Sequence, residues 1–163
     1  VGVVYNPVPS PAVDARPLLE EQLCLIGPKA KGRGTVTLRL RDLPRYPLLI
    51  PSRPHAIRML VETRLAGMGL RPQVAMEIDA VPAILELVAE GHGYAVLSPR
   101  ALHGGDAARQ LYARAIVQPR LTSKLAIATS AQRPSTPIQQ RAIELIERLI
   151  GPALAFPRTG QKR

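Results

Sequence analysis

Ser52 and Arg53 are the residues of this chain whose types and spacing best suit chemistry. They stand in Pro51-Ser52-Arg53-Pro54-His55, directly after the apolar triplet Leu48-Leu49-Ile50 and just ahead of a helix-forming stretch. Ser52 offers a hydroxyl and Arg53 a planar fork of donors that matches a carboxylate. The start of the following helix adds backbone N–H groups with a partial positive field. Asp79 holds an equivalent place after Val74 to Ile78 and before a second helix, and Ser98 a third, after Tyr94 to Leu97. Together these positions describe an anion-binding crevice. Ser52 suits a helix cap as well as a ligand contact, and Asp79 reads first as the N-cap of the helix that follows it.

Other chemistries find less support. His55, His92 and His103 have no Cys, Asp or Glu beside them at metal-ligand spacing, so no metal and no cofactor is expected. Neither Ser52 nor Ser98 lies in a Gly-x-Ser-x-Gly elbow, and no acid and histidine are placed to form a triad with them. Glu20 and Glu21 point to opposite sides of an extended chain and cannot flank one bond. Gly32-x-Gly34 and Gly91-x-Gly93 are incomplete phosphate cradles, and the second precedes a strand where a dinucleotide fingerprint precedes a helix. The expectation is a binding protein rather than an enzyme.

The elements that must position these tips follow from periodicity. From Tyr46 to Pro99 the order is strand, helix, strand, helix, strand, a βαβαβ unit whose strand ends and helix starts face one crevice. After Pro54, Ile57, Leu60, Val61, Leu65 and Met68 recur at helical spacing, with Arg58, Glu62 and Arg64 off that face, and Gly69 as the stop. The second helix carries Pro82 in its first turn and stops at Gly91. Outside the unit, Val1 to Tyr5 reads as a buried strand, Leu18 to Ile26 as an extended run closed by Gly27-Pro28, and Leu38 to Leu43 as a short helix or turn. Strands are expected at Leu111 to Val117 and Lys124 to Thr129. The last helix has the clearest local signal: Thr136 as cap, Pro137 at its first position, Gln139 completing a capping box, and Gly151-Pro152 ending it.

Composition sets the frame. The chain of 163 residues is 46% hydrophobic and 21% charged, which fits a folded globular protein of one domain or two small lobes. Its net charge of +10 favours anionic partners through the long-range field, yet the arginines are scattered and no helix carries a basic stripe. The single cysteine, Cys24, lies in an apolar run and reads as a buried filler. No apolar run has the length to span a bilayer and no export signal opens the chain, so a cytoplasmic protein without membrane contact is expected.

The order of elements and several phrases resemble the effector-binding domain of LysR-type transcriptional regulators. The residues that carry it are Pro17 to Pro28, Leu48 to His55, Gly69-Leu70-Arg71-Pro72 before Glu77-Ile78-Asp79, Leu87 to Pro99, and Ala128-Thr129-Ser130, spread over about residues 1–150. The resemblance implies an α/β fold of the type 2 periplasmic-binding-protein kind, two lobes joined by crossover strands with a small effector between them. One lobe would be residues 18–108 and complete. The other would combine 1–17 with 109–152 and be incomplete, with a flexible basic tail over 153–163.

The resemblance also implies an effector site at Ser52, Arg53, Pro54, Ile78, Asp79, Leu97 and Ser98 on one lobe. Tyr5, Asn6 and Pro7, at the tip of a strand of the other lobe, would face the effector from there, with Thr129 near that lobe's cleft side. The function implied is sensing of a small carboxylate-bearing metabolite within a homo-oligomer. DNA would be reached only through an N-terminal winged helix-turn-helix that this sequence lacks, an expected truncation. The competing reading is a periplasmic-type solute-binding receptor of the same fold.

Overall fold

The structure is a computed structural model that describes residues 1–29, 36–103 and 107–154. The Gly32-x-Gly34 pattern and, from residue 155 on, the tail expected over 153–163 lie outside the described residues. The chain divides into two compact units, residues 1–20 with 124–163, and residues 21–123.

The second unit is built on a sheet of short strands: β3 (Cys24–Pro28), β4 (Thr37–Arg39), β5 (Leu48–Ile50), β6 (Val74–Glu77), β7 (Ala95–Leu97) and β8 (Leu111–Val117). Four of them pair in the order β4-β8-β3-β7, and β5 pairs with β6. The N–H of Leu49 donates to the Tyr94 carbonyl at 2.8 Å and the N–H of Tyr94 to the Pro47 carbonyl at 2.9 Å, which stitches β5 to the start of β7. β5 and β6 are parallel, and the bridge from Leu48 to Tyr94 is parallel too. The expected βαβαβ unit is therefore present, and its strands end on one side of the sheet.

β3, β5 and β7 are continuous buried runs because helices or other elements cover both faces there. Leu25, Leu48, Ile50 and Val96 join Val61 and Leu65 of helix α1 (Ala56–Ala66) in one core. Ile26, Leu49, Ala95 and Leu97 join Ile84, Leu85 and Val88 of helix α2 (Val81–Ala89) in the other. The side-chain period of two thus sends alternate residues of one strand into different cores. Cys24 is buried, and burial pushes its thiol up to about 11, so it stays a protonated filler.

The first unit holds the sheet β1-β9-β2, made of β1 (Gly2–Tyr5), β2 (Val13–Gln22) and β9 (Thr122–Ser130), with helix α3 (Pro137–Leu154). β2 and β9 each continue into the second unit, because the division falls within them. α3 starts on the expected capping box: the Thr136 N–H donates to Gln139 Oε1 at 3.0 Å and the Gln139 N–H to Thr136 Oγ1 at 3.3 Å.

Several expectations need correction. Residues 109–123 group with the second unit, because β8 pairs with β3 and β4. β1 is exposed except for half-buried Val4, since it lies at the edge of its sheet. The run from Leu18 splits into β2 and β3, and β2 starts earlier, at Val13. Gly27 and Pro28 lie inside β3 rather than closing it. A Cβ at Gly27 would come within 2.8 Å of the Tyr112 and Tyr94 rings, so the glycine answers a packing need. α1 ends at Ala66, short of Gly69. α3 runs past Gly151-Pro152 to Leu154: a proline deletes one N–H near the end of a helix without forbidding another turn.

Candidate functional site

The tips of the second unit are where the candidate residues gather. β5 ends at Ile50 and β6 at Glu77, and the Ile78 N–H donates to the Ile50 carbonyl at 3.1 Å, carrying the pairing to the strand ends. Ser52 and Asp79 follow, and they meet. The Ser52 N–H donates to Asp79 Oδ1 at 2.9 Å and the Ser52 hydroxyl to Asp79 Oδ2 at 2.6 Å. Those two bonds hold the exposed Asp79 carboxyl below the usual carboxylate range, so it stays ionised.

Neither residue caps a helix, which corrects that expectation. The N-cap of α1 is His55, whose Nδ1 accepts from the Ile57 N–H at 3.2 Å. The N-cap of α2 is Ala80, whose methyl side chain has no acceptor to offer, and the Asp79 carboxylate is turned to Ser52 instead.

Arg53 and Pro54 are exposed and joined by a cis peptide bond. Arg53 Nε donates to Glu62 Oε2 at 3.0 Å, so the fork expected to face a ligand is steadied by its own helix through one of its nitrogens. Glu62 in turn accepts from Arg58 Nε at 2.5 Å. Arg58 Nη1 donates to Glu77 Oε1 at 3.0 Å and to the Pro51 carbonyl at 3.1 Å. Partial burial works against ionisation of Glu62, yet Arg53 and Arg58 hold its carboxyl below the usual range. Glu62 raises Arg58 further, and Glu77 adds to it.

Arg58 is the residue that sequence reasoning missed. It was placed off the apolar face of its helix, yet only 5% of it is exposed. A charge survives there because two carboxylates and a carbonyl surround it. The spacing Arg58 to Glu62, four residues on a helix, was the available signal; Glu77 comes from a different strand and left none.

The remaining candidates contribute differently. Leu97 is buried in the α2 core and Ile78 packs on its margin, so both bring backbone to the tip. Ser98 Oγ accepts from the Arg100 N–H at 3.2 Å as the cap of a 3-10 turn, Pro99–Leu102. Arg100 Nε lies 2.6 Å from Glu21 Oε1. A cavity of about 690 Å³ in this unit runs along α2 and is lined by Val81, Leu85, Ala89, Ala101 and Ala108, none of them a candidate.

In the first unit, Asn6 follows β1 with φ of 48°, a left-handed conformation that asparagine tolerates. Its N–H donates to the Lys124 carbonyl at 2.7 Å and its Oδ1 accepts from the Lys124 N–H at 2.8 Å, so the strand pair itself holds the tip. Tyr5 is exposed beside it and Pro7 follows. Thr129 belongs to the same sheet but lies apart from them. Tyr5 pairs with Leu125 and Gly2 with Ala128, so the antiparallel register puts Thr129 at the far end of β9. It lines a separate groove of about 580 Å³ with Asp14, Arg16 and Gln140. Among the described residues no group of three or more His, Cys, Asp or Glu could hold a metal, and no helix is long and apolar enough to cross a membrane.

Doubly covered sheet, parallel strands ending in polar tips and a chain passing twice between two units define an α/β protein of the type 2 periplasmic-binding-protein kind. The sequence model of the LysR substrate binding domain matches residues 1–150, and the chain belongs to that family. It is similar to the HTH-type transcriptional regulator BbuR of Bordetella bronchiseptica, at 31% identity over 163 residues, 99% of this chain and 49% of that protein. The chain spans about half the length of the curated relatives it matches, and these are transcriptional regulators, not enzymes.

Among solved structures, the CcmR regulatory domain of Synechocystis PCC6803, in complex with 2-PG, is similar with a TM-score of 0.77 at 19% identity. The match covers 90% of this chain and 71% of that one. The effector binding domain of QuiR, in complex with shikimate, has a TM-score of 0.71 at 14% identity, covering 90% of this chain and 70% of that one. At such identities the likeness concerns the fold.

Proposed function

We propose that this chain is the sensing part of a LysR-type transcriptional regulator and takes a small carboxylate-bearing metabolite at the tips of its second unit. The observation that carries the reading is the Pro51 to Pro54 loop. It puts the Arg53 guanidinium and the hydrogen-bonded Ser52–Asp79 pair directly beyond a parallel strand pair, where α/β sheets bind ligands. Ile78, Asp79, Leu97 and Ser98 complete that set, and Tyr5, Asn6, Pro7 and Thr129 are the first unit's candidates for effector contact. The complexes of CcmR with 2-PG and QuiR with shikimate support a small-molecule effector. Output to DNA would run through a segment outside this sequence, in a cytoplasmic homo-oligomer. The effector drives it only by binding two conformations with different affinity.

The test is a thermal-melt screen of carboxylate-bearing metabolites. A ligand present at a hundredfold over its Kd should stabilise the chain by about 2.7 kcal/mol. Arg53→Ala and Ser52→Ala should each remove most of that shift. A metabolite whose stabilisation survives both substitutions would place the effector elsewhere.

A further inference from the structure

The donors expected to make the tip an anion crevice are largely spoken for by the protein itself. Both Ser52 donors, N–H and hydroxyl, are taken by Asp79, one on each oxygen. Arg58 is surrounded by Glu62, Glu77 and the Pro51 carbonyl. Counting the charged groups of this network gives Glu62, Glu77 and Asp79 against Arg53 and Arg58, an excess of acceptors at a place read from sequence as an anion-binding crevice.

Two groups keep spare capacity toward solvent. The exposed Arg53 side chain binds Glu62 through Nε, which leaves its terminal Nη groups outside that bond. The Asp79 carboxylate uses one lone pair per oxygen on Ser52, and a carboxylate offers about four in all. The first suits an acid and the second suits a donor. Because Ser52 pins both Asp79 oxygens, the carboxylate is oriented before any ligand arrives, and such preorganised acceptors discriminate strongly against a ligand that lacks the matching donor.

We infer that the effector carries a hydroxyl or ammonium group close to its carboxylate, and that Asp79 is the residue that reads this donor while Arg53 takes the acid. The inference rests on the effector site proposed above. It makes the ligand a hydroxy or amino acid rather than a plain carboxylate, and it makes Asp79 a specificity-determining residue instead of a helix cap.

Acetate, glycolate and glycine differ only in the group next to the carboxylate, and serve as probes. Each is titrated at fixed ionic strength into the 15N-labelled chain while the Ser52 amide is followed, with Glu90 as a surface control. Glycolate and glycine should shift Ser52 saturably, at least about tenfold more tightly than acetate, as one hydrogen bond to a charged group implies. In Asp79→Asn, whose folding the same spectrum reports, that preference should disappear while acetate is unaffected. Acetate binding the wild-type tip as tightly as glycolate and glycine overturns the inference and leaves the site standing. Tip amides that respond to none of the three, in wild type and variant alike, overturn the site and the inference with it.

Discussion

Among the described residues of the second unit two arginines are buried, and the partners seen around them differ in kind. Arg58 is 5% exposed and Arg114 9%. Arg58, at the strand ends, is neutralised by Glu62 and Glu77 and holds the Pro51 carbonyl. Arg114, on β8, donates through Nη1 to the Tyr46 hydroxyl at 2.9 Å and through Nη2 to the Thr37 carbonyl at 3.1 Å. Its guanidinium carbon also lies 5.7 Å from the centroid of the Tyr46 ring. Tyr46 packs edge-on against Tyr94 at 4.9 Å, near the starts of β5 and β7, away from the tips. Among the described residues the tip's Arg58 thus rests on ion pairs in reach of solvent, and Arg114 at the opposite end meets a phenol hydroxyl, a carbonyl and a ring. An ion-paired network at the surface can exchange partners when a charged ligand arrives; an aromatic clamp has no such alternative. The difference separates the end built to respond from the end built to hold.

Arg58→Met should have the largest effect. It takes a shared donor from two carboxylates and a carbonyl, and because Glu62 keeps Arg53 and Glu77 is half exposed the cost falls at the low end for breaking a buried ion pair, about 3 kcal/mol. Urea unfolding measures it. Arg114→Met leaves neutral acceptors unsatisfied, at about 1–3 kcal/mol. If Arg114→Met proves the costlier of the two, the contrast between the ends is wrong.

Gly27→Ala sharpens the comparison from the aromatic side. The new methyl would meet Tyr112 Cζ and Tyr94 Cδ1 at 2.8 Å, and Tyr94 cannot retreat freely because Tyr46 backs it. Overpacking of this kind costs about 1–3 kcal/mol. The near-ultraviolet tyrosine signal should change with it, whereas the Ser52 amide at the tip should not move. A shift at Ser52 would show the two ends to be coupled.

The same contrast governs what could be read from sequence. The strand and helix order from Leu48 to Leu97, the α3 capping box and β8 were legible because each rests on residues close in sequence: apolar runs, a cap with its Gln139, Pro137 at the first turn. The tip loop was legible as a place but not as chemistry. Ser52 and Asp79 lie 27 residues apart, and nothing local says that one will consume the donors of the other. Arg58 misled for a related reason. An arginine on a helix reads as solvated until a second element supplies its counter-charge, and Glu77 arrives from β6. The distance of Thr129 from Asn6 was not legible either, because a phrase carries no register; only the pairing of Tyr5 with Leu125 fixes which end of β9 adjoins the β1 tip.

Titration should separate the two ends at opposite extremes of pH, with the smallest effects of this set. Glu62 and Asp79 have carboxyls held below their ordinary values in the folded chain. Between the folded and unfolded values the unfolded state binds more protons, so their contribution is complete above the unfolded values, about pH 4, and is lost as pH falls through the lower folded ones. Tyr112 is the reverse case. Desolvation, with Tyr94 nearby, raises its phenol against the pull of Arg114. There the folded state keeps the proton longer, so the contribution is complete below the unfolded value, about pH 10, and falls as pH rises through the raised one. Urea midpoints measured across both ranges should show Glu62→Gln flattening only the acid limb and Tyr112→Phe only the alkaline one. Glu62→Gln altering the alkaline limb would mean that the ion-paired tip and the aromatic clamp share one network, because the proton would then be felt across the sheet that separates them.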